Sequence, residues 1–170
     1  KEKIQQLAAN ILNDVVANRR HLHSHPELSF HEVQTSAYVA ARLDELGIPY
    51  QRMADNGLVG LITGAKPSDK VVALRGDMDA LPITEANDVP YKSQNAGVMH
   101  ACGHDVHTSS LLGTAKILSE LKNEFGGTVK LIFQPAEEKL PGGASLMIKE
   151  GVLENPKPQA VIGQHVMPLI

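Results

Sequence analysis

The 170-residue chain contains one cysteine, so an internal disulfide is excluded. It also contains no window near the roughly 18 consecutive apolar residues of a membrane-spanning helix. Neither charge sign dominates: 16 Lys and Arg stand against 19 Asp and Glu, a net of −3, with no long run of either sign. That removes the basic footprint by which nucleic acids or anionic membranes are held, so neither is expected as a partner. The start, Lys1-Glu2-Lys3-Ile4-Gln5-Gln6, is amphipathic and contains acid, unlike a secretory signal, and the expected location is the cytoplasm. There is no initiator methionine, and the sequence stops within the apolar stretch Met167-Pro168-Leu169-Ile170, so the chain reads as a piece of something longer. No internal repeat, low-complexity tract or linker divides it.

What is present is an ordinary globular composition, 42% apolar and 21% charged. A chain of this length buries roughly 70% of the surface its unfolded form exposes, enough for one domain without staples. Ile4, Leu7, Ala8, Ile11, Leu12, Val15 and Val16 fall on one helical face and predict a helix running to about His23, with Pro26 beyond it. Val33, Ala37, Ala40, Leu43 and Leu46 predict a second, with Gly47 in the stop position. Two short β-type runs follow, 58–63 and 71–74, which look like neighbouring strands joined by a turn at 64–69. Residues 82–97 are polar and irregular, a long loop of the kind that is commonly functional. Helical spacing returns from Asp105 to Leu121, then a strand at 128–133, a short helix at about 143–150 and a last strand at 160–164. Strands alternating with helices imply an α/β layer with a parallel or mixed sheet, whose ligand sites gather at strand ends.

Polar residues cluster at those ends. The 71–74 strand runs into Arg75-Gly76-Asp77-Met78-Asp79, the 128–133 strand into Gln134-Pro135-Ala136-Glu137-Glu138, and the 160–164 strand into His165. Between them lies His100-Ala101-Cys102-Gly103-His104-Asp105-Val106-His107. Divalent metals of intermediate softness accept thiolate, imidazole and carboxylate together. Gly103 lets the backbone turn sharply enough for Cys102 and His104 to face one ion. Alone, a Cys-X-His triplet reads as a buried cysteine with surface histidines; the coincidence with independent donors after two other strands is what favours a metal. Glu137-Glu138 reads either as a solvated strand end or as a working pair, one carboxylate on metal and its neighbour taking a proton from the activated water. Asp77 and Asp79 read as a turn-forming pair, or Asp79 as a residue that hydrogen-bonds a ligand or base and fixes its orientation. His21, His23 and His25 end a helix and read as structural or pocket-lining, as do His31 and His107 as loop and helix-face residues.

Taken together, Arg19 to Leu28, Arg75 to Ile83, Met99 to His107, Phe133 to Glu138 and Gly163 to His165 resemble the amidohydrolase branch of the dinuclear metallopeptidases, in the family's order. That branch includes hippurate hydrolases, N-acyl-amino-acid deacylases and auxin-conjugate hydrolases. The resemblance implies an α/β catalytic domain of three layers, a mixed sheet with helices on both faces, of which residues 1–170 are the N-terminal part without the lid domain. It implies Cys102, His104, Glu138 and His165 as metal ligands, Glu137 as general base, and Asp79 as the aspartate that orients the metal site. Asp77 stands where related peptidases use a histidine ligand. Two divalent ions are implied, zinc or manganese, with nickel or cobalt as alternatives. The implied activity is hydrolysis of the amide bond of N-acyl amino acids or short peptides, in a protein that dimerises through its lid. Two other readings stay open here: a catalytically inactive module with one closed four-ligand metal site, and a hydrolase whose nucleophile is Cys102.

Overall fold

A computed structural model describes residues 1–167; Pro168, Leu169 and Ile170, the end of the apolar stretch noted above, lie outside the described residues. The first predicted helix is divided. Helix α1 spans Glu2–Asn10 and α2 Leu12–Ser24, with Ile11 between them at φ −98° and ψ 2°. The kink turns Ile11 inward, where it is buried, while the ladder carries on around it through Ile11 N–H to Leu7 O and Val15 N–H to Ile11 O. Helix α3, Val33–Glu45, ends as its spacing predicts, with Gly47 at φ +63°.

Among the described residues the sheet has five strands: β1 Tyr50–Met53, β2 Gly57–Thr63, β3 Lys66–Asp77, β4 Gly126–Gln134 and β5 Ala160–Gly163. Their order is β1-β2-β4-β3-β5. β1 and β4 flank β2 in antiparallel fashion, whereas β4 and β5 flank β3 in parallel, which makes the sheet mixed. The expectation that β2 and β3 are neighbours is therefore wrong, because β4 lies between them. Most of the expected turn at 64–69 is instead the start of β3. The chain crosses the foot of β4 there: Gly64 N–H donates to Gly127 O at 2.8 Å, and Gly127, at φ +83°, packs so closely on the Lys70 carbonyl that a Cβ would overlap it. β4 can then occupy the gap between the two earlier strands.

Alternate residues of each strand feed two cores, as the pleat requires. On one face Leu58, Ile62, Leu131 and Phe133 pack with Val39 and Leu43 of α3 and with Leu111 and Leu112 of α4, which spans His104–Glu120. On the other, Val59, Ala73 and Ile132 pack with Met147 of α5, Gly143–Lys149, and with Val152. Each fully buried Leu or Phe contributes about 1.5–3 kcal/mol relative to exposure. Lys130 is buried on the α5 face, its Nζ donating to the Val152 and Glu154 carbonyls at 2.7 Å each, and burial lowers its pKa. The result is the expected three-layer α/β arrangement. No described helix is long and apolar enough to cross a membrane.

This topology positions the polar residues. β3, β4 and β5 run parallel, so the segments that follow them, Met78-Asp79, Pro135 to Glu138 and Gln164-His165, leave the same edge of the sheet. Helix α4 starts at that edge with His104.

Candidate metal centre

His104 sits at the middle of the centre. Its Nδ1–H donates to the Asp79 carbonyl at 2.8 Å and lies 3.2 Å from Asp79 Oδ1. That tautomer leaves Nε2 bare, and Nε2 is buried with no hydrogen-bond partner among the described residues. It faces Asp77 Oδ2 at 3.6 Å, Glu138 Oε1 at 3.7 Å and Glu137 Oε2 at 3.9 Å. A buried imidazole nitrogen without a hydrogen-bond partner, at 1% residue exposure and ringed by carboxylates, is costly unless a cation meets it.

Cys102 reaches the same place because Gly103 adopts φ +85°, a left-handed conformation, and a Cβ there would overlap Val166 Cγ2. His165 arrives from the end of β5. Its Nδ1–H donates to the Val166 carbonyl at 2.7 Å, so its Nε2 is the bare nitrogen, 3.5 Å from Cys102 Sγ. Donor atoms of Cys102, His104 and His165 lie within 4.8 Å of one another, as do those of His104, Glu137 and Glu138. The structure thus places the four expected ligands and the expected base in two overlapping groups that share His104.

Asp79 organises the opposite side. Besides His104, its carboxylate accepts the N–H groups of Glu137 and Glu138, each at 3.0 Å, and the Ser29 hydroxyl at 2.6 Å. Burial alone would push the Asp79 carboxyl up, but these hydrogen bonds together hold it well below the usual carboxylate range. One residue therefore fixes both the tautomer of His104, chiefly through its backbone carbonyl, and the placement of the Glu137-Glu138 pair, through its carboxylate.

The electrostatics suit a cation. Burial, then the neighbouring carboxylates of Glu138, Glu137 and Asp77, push the Cys102 thiol up to about 11. Burial favours neutral His104, yet Asp79, Asp77 and Glu138 raise its pKa on balance. Both groups report the same local excess of negative charge, which a divalent ion bound to thiolate, imidazole and carboxylate would relieve. The residues present fit such an ion. A nucleophilic cysteine needs the opposite field, since its thiolate must be favoured without metal.

Two contributors were not legible in the sequence. Glu32 is fully buried, and its Oε1 accepts the Ala136 N–H at 2.7 Å, bracing Ala136 at φ +47° just before Glu137; burial, its largest influence, raises its pKa. Nothing in the local sequence marks it. His107, read as a helix-face residue one turn from His104, pairs with Asp77 at 2.7 Å, a partner 30 residues away that its spacing does not mark. The metal-donor groups include none of His21, His23 and His25. His21 stacks between Tyr38 and His25, and His23 bridges Asp105 and Glu85, pinning the 82–97 loop.

The chain is similar to known proteins along most of its length. Residues 73–170 match the model of peptidase family M20/M25/M40. An N-acyl-L-amino acid amidohydrolase from Geobacillus stearothermophilus is 47% identical over 98% of this chain and 44% of its own length. The crystal structure of the Bacillus subtilis YXEP protein, described as a dinuclear metal binding peptidase from the M20 family, aligns with a TM-score of 0.86 at 42% identity, covering 92% of this chain and 43% of that one. That of an aminobenzoyl-glutamate utilization protein from Klebsiella pneumoniae aligns with a TM-score of 0.77 at 25% identity, over 97% of this chain and 46% of that one. The chain spans less than half the length of these proteins.

Proposed function

The chain belongs to peptidase family M20/M25/M40, and from that premise we propose that it is the N-terminal part of the catalytic domain of a metal-dependent hydrolase that cleaves the amide bond of N-acyl amino acids or short peptides. The observation that carries the reading is the bare, buried Nε2 of His104 among Cys102, Glu137, Glu138 and His165, with Asp79 holding its other nitrogen. The 47% identical relative is an N-acyl-L-amino acid amidohydrolase, which is the source of the substrate class.

In this proposal Cys102, His104, Glu138 and His165 hold the metal side of the site, which takes two divalent ions, zinc or manganese. When bound, such ions polarise a carbonyl and lower the pKa of water toward about 7. Glu137 is the general base: its side chain stays 42% exposed while its carboxylate reaches the cluster. It takes the proton of the attacking water and passes it to the amide nitrogen, so that the leaving group departs as a neutral amine. Asp79 keeps Glu137 and His104 in register through the shared hydrogen bonds. A closed single-metal module draws on the same four donors but gives Glu137 no task.

The test is an assay of the full-length protein against a panel of N-acyl amino acids, with and without chelator. Chelator-sensitive release of free amino acid is the expected result. Activity that survives exhaustive metal removal, or its complete absence with metal bound, sinks the proposal.

A further inference from the structure

Beneath the donor cluster runs a second set of contacts that the proposed reaction leaves without a role. Arg75 Nη1 pairs with Asp77 Oδ2 at 2.6 Å, and Arg75 Nε donates to Gln134 Oε1 at 2.8 Å. Asp77 is 1% exposed; its backbone carbonyl accepts the Thr108 hydroxyl at 2.6 Å, and its carboxylate is held between Arg75 on Oδ2 and His107 on Oδ1. Its Oδ1 accepts His107 Nδ1–H at 2.7 Å. His107, also buried, is thereby set with Nε2 as acceptor, and that nitrogen receives the backbone N–H of Val166 at 3.0 Å.

Val166 follows His165 directly. β5 is tied to the sheet by its parallel pairing with β3, from Val72 opposite Ala160 to Arg75 opposite Gly163. Among the described residues, Val166 N–H to His107 is the one hydrogen bond from the Val166 backbone to another element. The contact is reinforced by shape: Val166 lies over Gly103 where any Cβ would overlap it, and the His107 ring meets the His165 ring edge-on at 4.7 Å.

We propose that His107 is a positioning residue: oriented by the Arg75 and Asp77 pair, it holds the Val166 N–H and so keeps His165 Nε2 against Cys102. This rests on the metal-site reading above, because His165 has a position to keep only if it binds an ion. Residues that orient ligands in this way typically change metal affinity or activity by 10- to 100-fold when replaced.

Two substitutions separate the two bonds that His107 makes. His107→Gln places an amide oxygen where Nε2 stood and keeps an acceptor for Val166. His107→Asn is too short for that but keeps a donor for Asp77. The full-length metal-free protein is titrated with zinc by calorimetry, and with cobalt to follow the thiolate-to-metal absorption of Cys102. The expected result is about 10- to 100-fold weaker zinc binding in His107→Asn, with the cobalt-thiolate band still present, and binding within a few-fold of wild type in His107→Gln. Equal behaviour of the two variants overturns the positioning role, whether both bind like wild type or both fail. Wild-type protein that takes up neither metal contradicts the metallohydrolase reading itself, a different failure.

Discussion

Replacing Asp79 by asparagine tests how tightly the centre is built before any ion enters it. The two carboxylate oxygens divide four donors: Oδ1 takes Glu137 N–H at 3.0 Å and faces His104 Nδ1 at 3.2 Å, while Oδ2 takes Glu138 N–H at 3.0 Å and the Ser29 hydroxyl at 2.6 Å. In Asp79→Asn one oxygen becomes an NH2 group. If it occupies the Oδ2 position, Ser29 turns its hydroxyl to accept, but Glu138 N–H is left facing a donor. An orphaned donor of this kind costs about 1–3 kcal/mol. The bonds that survive lose their charge assistance, which is roughly half their strength. Together the penalty is about 3–5 kcal/mol, a large share of the 5–15 kcal/mol that holds a typical domain. The sign of its pH dependence follows from the depressed Asp79 pKa. A carboxyl held low when folded contributes stability that is fully present above the unfolded value of about 4 and lost as pH falls through the folded value. The gap between wild type and variant should therefore narrow by about 1 kcal/mol between pH 7 and pH 3. Urea denaturation of the full-length protein with chelator present measures it free of metal linkage. A penalty under about 1 kcal/mol at pH 7, or one that does not shrink in acid, refutes the reasoning.

Glu137→Gln should retain metal, if Glu138 and not Glu137 is the ligand as proposed, yet lose roughly 10²- to 10⁴-fold in turnover; metal analysis beside the amidase assay separates these, and wild-type turnover removes Glu137 as base. Cys102→Ala should lose metal occupancy after dialysis, since water replaces a thiolate poorly; full occupancy by elemental analysis would speak against Cys102 as a ligand. Gly103→Ala forces a Cβ into a left-handed backbone against Val166, which should cost about 1–2 kcal/mol or more in thermal melts and weaken metal binding as His165 moves. An alanine variant as stable as wild type would show that the Gly103 geometry is dispensable.

Much of this architecture is legible in the residues themselves. Strands β2, β4 and β5 and helices α3 to α5 follow from hydrophobic spacing, and the donors at the strand ends follow from a few short motifs. What escapes is tertiary in origin. The α1 and α2 division at Ile11 leaves no mark because no Gly or Pro is involved and the backbone ladder runs on around it. β1 is an edge strand without clean alternation, with Gln51 and Arg52 both exposed. The insertion of β4 between β2 and β3 depends on a close crossing at Gly127 that only the assembled sheet reveals. Asp79, by contrast, could be suspected from its spacing to Asp77, but its four-way hydrogen bonding required Ser29 from a segment 50 residues earlier in the chain. His107 and Glu32 escape for the same reason, since the partners that define them, Val166 and Ala136, lie 59 and 104 residues away.

If Cys102, His104, Glu138 and His165 hold metal for amide hydrolysis, as proposed, bound ion and turnover rise and fall together. This is tested most directly by stripping the full-length protein of metal, restoring zinc or manganese in steps, and following bound ion and N-acyl amino acid hydrolysis in the same samples. Activity should disappear with the ions and return as about two per chain are restored. Hydrolysis independent of metal content, or one tightly held ion with no hydrolysis at any loading, would contradict it.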